Sequence, residues 1–100
     1  MIADVEEICY IFTERGYTLV HLRDGSSGMI ETSLADVFSS LDPAVFYRAN
    51  RQTIVNMGCV RKVAHGTGRN NLLILRQPYE KEAIKVTHKK AQEILKLLDN

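Results

Sequence analysis

The first 23 residues constrain this chain more than any others. Val5 to Thr13 (VEEICYIFT) and Tyr17 to Arg23 (YTLVHLR) are both rich in β-branched and aromatic side chains, and only Glu14-Arg15-Gly16 separates them. Two such runs on so short a link satisfy their backbone groups by folding back on each other, so the spacing predicts an antiparallel hairpin. Asp24-Gly25-Ser26-Ser27-Gly28 then has turn composition, and Met29 to Thr32 resumes extended structure, giving a β-meander.

Ser33 begins a short helix, with its hydroxyl as cap and Asp36 three residues on as a capping-box-like partner. Leu34, Val37, Phe38 and Leu41 repeat at helical spacing and predict one buried stripe. Asp42-Pro43 stops it, because the residue before a proline is pushed out of the helical region. Val45 to Arg48 is predicted as a strand, whereas Ala49 to Asn56 is ambiguous on pattern alone. Val60 to Ala64 and Asn71 to Leu75 flank a hairpin-loop composition at His65-Gly66-Thr67-Gly68-Arg69-Asn70, and Ala83 to Val86 is a further strand. A helix capped by Thr87 closes the chain, with Ala91, Ile94, Leu95 and Leu98 as its apolar stripe. Many short strands and two short helices indicate a β-rich fold in place of an alternating βαβ sheet.

With 100 residues, 45% of them hydrophobic and 25% charged, the chain is expected to be a single soluble domain. Its longest uninterrupted apolar run, Leu72 to Leu75, is far short of a membrane span, and Asp4, Glu6 and Glu7 stand where a secretory signal would be basic. Cys9 and Cys59 lie in apolar surroundings far apart in sequence, which fits a reduced, cytoplasmic setting.

The net charge of +1 conceals a division: residues 1–46 carry two basic residues against eight acidic, and residues 47–100 carry eleven against four. A chain that separates its charges this way can present one cationic face to a polyanion without an extreme isoelectric point.

Catalytic and metal chemistry find little footing. His21, His65 and His88 belong to no metal-ligand spacing, and His21 alternates with apolar neighbours as a structural strand residue would. Cys9 sits among Ile8, Tyr10 and Ile11, the setting of an inert core thiol. Gly66-Thr67-Gly68 lacks the following helix and the Lys-Ser or Lys-Thr of a phosphate loop. No cofactor is implied, and an enzyme using Cys59 or His65 is the weakest of the readings.

The basic half offers more. Arg48, Asn50, Arg51 and Gln52 gather guanidinium and carboxamide groups directly after a strand, and such groups fork onto guanine and adenine edges. Lys85, His88, Lys89 and Lys90 cluster at the start of the last helix, where free backbone N–H groups favour a phosphate. A solvated helix start with ordinary surface lysines would look the same in sequence.

The segment Phe46-Tyr47-Arg48-Ala49-Asn50-Arg51-Gln52-Thr53-Ile54-Val55-Asn56 resembles the central signature of the LytTR (LytR/AlgR-type) DNA-binding domain family. The opening strand pair, the helix after Ser33, the hairpin after Val60 and the closing Val86-Thr87-His88 fall in that family's order, so the resemblance covers nearly the whole chain. It implies a mainly β, elongated fold of about ten short strands in small antiparallel sheets, with short helices near 33–41 and 87–98. It also implies one LytTR-like DNA-binding domain over residues 1–100, the output part of a bacterial response regulator, with no receiver domain in this sequence.

Carried over by position, the implied base-contacting residues are Arg15, Gly16 and Tyr17 in the first turn, Asn50 and Arg51 in the central cluster, and His88 and Lys89 entering the last helix. Arg48, Gln52, Lys85, Thr87 and Lys90 are the implied phosphate or positioning contacts, and Asn56 a structural tie. Asn50 and Gln52 stand where the family usually has histidine and serine, and Thr87-His88 where it usually has Ser-Arg, departures that leave the implied fold alone while the resemblance implies no particular target sequence. The implied partners are promoter duplexes with repeated half-sites, a second copy on DNA and a receiver domain, with no membrane. A protein-interaction or dimerisation module of the same β-rich fold is the alternative.

Overall fold

β1 (Ile8–Glu14) has three consecutive buried residues, Cys9, Tyr10 and Ile11, which marks a strand covered on both faces. The computed structural model, which describes residues 5–65 and 70–98, shows why. β1 is the middle strand of a five-stranded antiparallel sheet ordered β3-β2-β1-β5-β4, with β2 Tyr17–Leu22, β3 Ser27–Ile30, β4 Phe46–Asn50 and β5 Thr53–Asn56. A register shift between Ile8 and Tyr10 lets Cys9 and Tyr10 both join one core, while Ile11 joins the other.

On the Ile11 side lies α1 (Leu34–Ser39). Ser33 caps it by accepting from the Asp36 backbone N–H at 3.2 Å, and Leu34, Val37, Phe38 and Leu41 pack with Ile11, Phe46 and Ile54, as the stripe predicts. Each fully buried side chain of this kind contributes roughly 1.5–3 kcal/mol. Asp42 ends the helix segment by accepting from Val45 N and Phe46 N through its carbonyl and from Ala44 N through Oδ1.

On the other side is a three-stranded antiparallel sheet, β6 (Val60–His65), β7 (Asn71–Leu75) and β8 (Ala83–Val86). α2 (His88–Leu98) packs Ala91 and Ile94 into the core that holds Leu73, Leu75, Val60 and Val86. The expected stripe is narrower than its spacing implied: Leu98 packs against this core, but Leu95 is 46% exposed, because the sheet covers only the Ala91–Ile94 face.

Two contacts fasten the layers together. Tyr79, between β7 and β8, donates its hydroxyl to the Leu22 carbonyl at 2.6 Å, and its ring meets Tyr10 edge-on at 5.1 Å. His21 stacks flat on Tyr10 at 4.3 Å, the structural part its alternation predicts. Asn56 donates to the Ile8 carbonyl and accepts from Gly58 N, both at 2.9 Å, the expected structural tie. Cys9 and Cys59, distant in sequence, meet in the core. The two thiols influence each other, so that Cys59 ionises more readily than an ordinary thiol while its neighbour and burial push Cys9 up.

The mainly β architecture and both helices stand where expected, with eight strands among the described residues instead of about ten. β1 starts at Ile8, not Val5, because Val5–Glu7 form a 3-10 turn whose Glu6 and Glu7 carbonyls accept from Arg23. β3 starts at Ser27, inside the run predicted as a turn, because that turn closes early through Leu22 N to Ser26 O. Residues 66–69, read as part of a hairpin loop, lie outside the described residues. Among the described residues no helix is long and apolar enough to cross a membrane, and no group of three or more His, Cys, Asp or Glu is placed to hold a metal.

Candidate nucleic-acid interface

The ambiguous stretch Ala49 to Asn56 resolves into the end of β4, a turn at Arg51-Gln52, and β5. The turn is held from three directions. Asn50 Oδ1 accepts from Gln52 N at 2.8 Å, an Asx-type closure. One Arg48 η nitrogen donates to the Arg51 carbonyl at 3.0 Å, and Thr13 N donates to the Gln52 carbonyl at 2.9 Å. Backbone groups are thereby spent within the fold while the Arg51 and Gln52 side chains stay exposed.

The other end of the Asn50 carboxamide reaches the second sheet: Nδ2 donates to the Lys85 carbonyl at 2.8 Å, laying β4 beside β8. β8 runs through Thr87 into α2, and Thr87 Oγ1 accepts from Lys90 N at 3.2 Å as the helix cap. Lys90 Nζ turns back to the Arg48 carbonyl at 2.9 Å and sits 6.0 Å from the centre of the Tyr47 ring. Tyr47 in turn donates to the Glu93 carboxylate. Burial and that carboxylate push the Tyr47 hydroxyl up, so it stays a donor.

The sequence-predicted groups therefore converge. Arg51, Asn70, Lys85, Thr87, His88 and Lys90 border one open cavity of about 550 Å³, with Lys89 exposed next to it on α2. His88 Nε2 lies 3.1 Å from Gln92 Nε2, one helical turn on. The hairpin cluster and the helix start, separate in the sequence, are thus one surface. Asn70 was not singled out, since a residue read only as loop gives no sign that it faces the helix start.

Arg15-Gly16-Tyr17 is placed differently. Arg15 (φ 52°) and Gly16 (φ 82°) both have positive φ, the two-residue turn whose twist matches a tight hairpin. Glycine takes that conformation freely, whereas at Arg15 it carries some steric strain. Arg15, Gly16 and Tyr17 are exposed at the same end of the sheet as the Arg51 turn, since Phe12 pairs with Thr53 there. They do not border the cavity, and by register Glu14 lies opposite Tyr17 while Glu31 follows Ile30, the partner of Thr18. Two exposed carboxylates thus accompany the single Arg15 cation.

Arg48, Asn50 and Lys90 direct their polar ends to backbone carbonyls and hold the surface in shape. Arg51 makes no hydrogen bond through its guanidinium among the described residues, nor does Lys85 through its ammonium. A fixed scaffold presenting unspent cations beside a capped helix start is suited to binding a polyanion with defined geometry.

Comparisons with known proteins bear on the family and the fold. No curated protein matches the chain. Among solved structures it is similar to the LytTr DNA-binding domain of a methyl-accepting/DNA response regulator from Bacillus cereus. That likeness has 23% identity and a TM-score of 0.76, and covers 95% of this chain and 84% of the other. The family model described as LytTr DNA-binding domain matches residues 1–99. A match over almost every residue, together with the mainly β architecture described above, means that the chain belongs to the LytTr DNA-binding domain family.

Proposed function

We propose that this chain is a single DNA-binding unit that reads a specific duplex sequence through Arg51, His88 and Lys89. The observation that carries the reading is the Arg51 turn: three hydrogen bonds fix its backbone while its guanidinium stays unspent beside the start of α2. A guanidinium held this way can fork onto the major-groove edge of guanine. Gln52, Lys85 and Thr87 contact phosphates around the groove, and the first N–H groups of α2 favour an anion there. Arg48, Asn50 and Lys90 hold the readers in place, the two cations adding to the local potential. Arg15, Gly16 and Tyr17 touch the duplex as a second point of contact, weakened by Glu14 and Glu31. Repeated half-sites occupied by paired copies, and control by a receiver domain, complete the proposal.

The test is selection of bound duplexes from a random pool at two salt concentrations. The expected result is enrichment of a repeated half-site, with log affinity falling against log salt at a slope of roughly −5 to −9 for two copies making several phosphate contacts each. Binding that enriches no sequence, or that is indifferent to salt, would overturn the reading.

A further inference from the structure

The two sheets meet where β4 lies beside β8 through Asn50 and the Lys85 carbonyl, so β3 and β6 are left as the outer edges of the pair. Among the described residues no backbone hydrogen bond reaches the far side of either strand. An unpaired edge is a template for another strand, and small proteins commonly blunt it with charge. These two edges are blunted with opposite signs.

From residue 24 to residue 47 the chain has four acidic residues, Asp24, Glu31, Asp36 and Asp42, and no Lys, Arg or His. All four are exposed, and Asp24 and Glu31 flank β3 on either side. Hydrogen bonds from the Ser26 side chain and backbone hold Asp24 below its usual carboxylate value, so it stays ionised. Met29, on β3 itself, is 61% exposed, and Gly28 has open space where a side chain would stand. β6, in contrast, carries exposed Arg61 and Lys62 and no acidic residue.

We infer that β3 of one copy docks on β6 of a second copy, a head-to-tail contact distinct from the DNA-binding surface. Antiparallel addition brings the Glu31 end of β3 across from Arg61 and Lys62. The symmetric alternatives, β3 on β3 or β6 on β6, set like charges against each other and are disfavoured. A heterologous contact leaves one free edge on each member of a pair, so it joins copies in a row and does not close a two-fold dimer. Each edge is short, so the contact is weak and salt-sensitive in free solution. Its consequence on DNA, cooperative filling of adjacent half-sites, rests on the function proposed above; the contact itself does not.

Sedimentation of the chain without DNA tests it, which keeps its failure separate from failure of the DNA reading. Two charge-reversed forms are needed, Asp24→Lys with Glu31→Lys and Arg61→Glu with Lys62→Glu, each checked for an unchanged melting curve. At low salt the unaltered chain self-associates and at high salt it does not. Each reversed form alone associates about tenfold more weakly or less, because like charges then face each other. An equimolar mixture of the two associates again, since each restores the complement the other lacks. Absence of self-association at low salt, association indifferent to both reversals, or a mixture that stays dissociated would each overturn the contact. So would loss of DNA affinity in the Arg61/Lys62 form with self-association intact, which would give that edge to the duplex.

Discussion

Asn50 and Arg51 are neighbours in one cluster, and the structure gives them different work. Asn50→Ala removes two hydrogen bonds of 2.8 Å, one to the Lys85 carbonyl and one from Gln52 N. At roughly 0.5–1.5 kcal/mol each, the expected loss of stability is about 1–3 kcal/mol. Residues 50 and 85 are near solvent and water can replace part of each bond, which favours the lower half of that range. For a domain of this size each kcal/mol moves the midpoint by about 4–8 °C, so thermal denaturation resolves the change easily. On DNA, Asn50→Ala loosens the turn against α2, and affinity falls by a similar factor for every duplex tested. Arg51→Ala removes an exposed side chain with no internal bond, so the midpoint stays within the effect of about 0.5 kcal/mol usual for surface changes. Its affinity for the preferred site falls by about 1–3 kcal/mol, roughly 5- to 150-fold, and discrimination is lost at one base pair. The assay is competition binding against every single-base variant of the selected site, paired with melting curves. If Asn50→Ala left the midpoint unchanged and relaxed one base position, Asn50 would be the reader and the division of roles drawn here would fail.

Two further outcomes follow from the junction between the sheets. Tyr79→Phe keeps the ring against Tyr10 and His21 but leaves the Leu22 carbonyl without its 2.6 Å donor. We expect a loss of about 1–2 kcal/mol, seen as a lower urea midpoint at unchanged slope, and an unaltered midpoint would refute the tie. Burial lowers His21 below its usual 6.5, and the Glu82 carboxylate only partly offsets this. The unfolded chain therefore takes up the proton first, so this contribution to stability is complete above about 6.5 and is lost as pH falls from there through the folded value. His21→Phe, which keeps a flat ring on Tyr10, should make the melting temperature less dependent on pH across that window; an unchanged dependence would place the titration elsewhere.

Much of this was legible in the sequence because the signals are local. The Tyr17–Leu22 return strand, the Ser33 cap and the Thr87 cap each depend on residues within one or two turns of chain, and each is where its pattern predicts. Residues 49–56 were ambiguous because Asn50, Arg51 and Gln52 have no strand preference; the turn is set by Asn50 Oδ1 and by Thr13, which is far away in sequence. The same holds for the site. Residue types marked Arg48, Asn50 and Lys90 as groups able to bind DNA, but only the folded chain shows their polar ends on the Arg51, Lys85 and Arg48 carbonyls. A long cationic side chain looks the same in sequence whether it holds a loop or presents a charge.

That distinction bears on the proposed reading, in which a hairpin tip and a helix start together present the base contacts. Hairpin tips gain precision only if something else pays their ordering entropy, which costs about 1–2 kcal/mol per backbone residue. Here the second tip is ordered by its neighbours: Thr13 N holds the Gln52 carbonyl from the first hairpin, Asn50 joins it to β8, and Lys90 anchors α2 to the Arg48 carbonyl. Arg51 and the start of α2 are therefore ordered before DNA arrives, and little of the binding energy is lost in arranging them. The Arg15-Gly16 tip is tied at its base by Thr13 Oγ1 to the Tyr17 carbonyl, with no bond to the second sheet among the described residues. Removing the Thr13 hydroxyl should consequently be felt at the first tip alone, because the tie to Gln52 is a backbone N–H that Thr13→Val keeps, whereas Thr13→Pro removes that N–H and should be felt at the Arg51 tip as well.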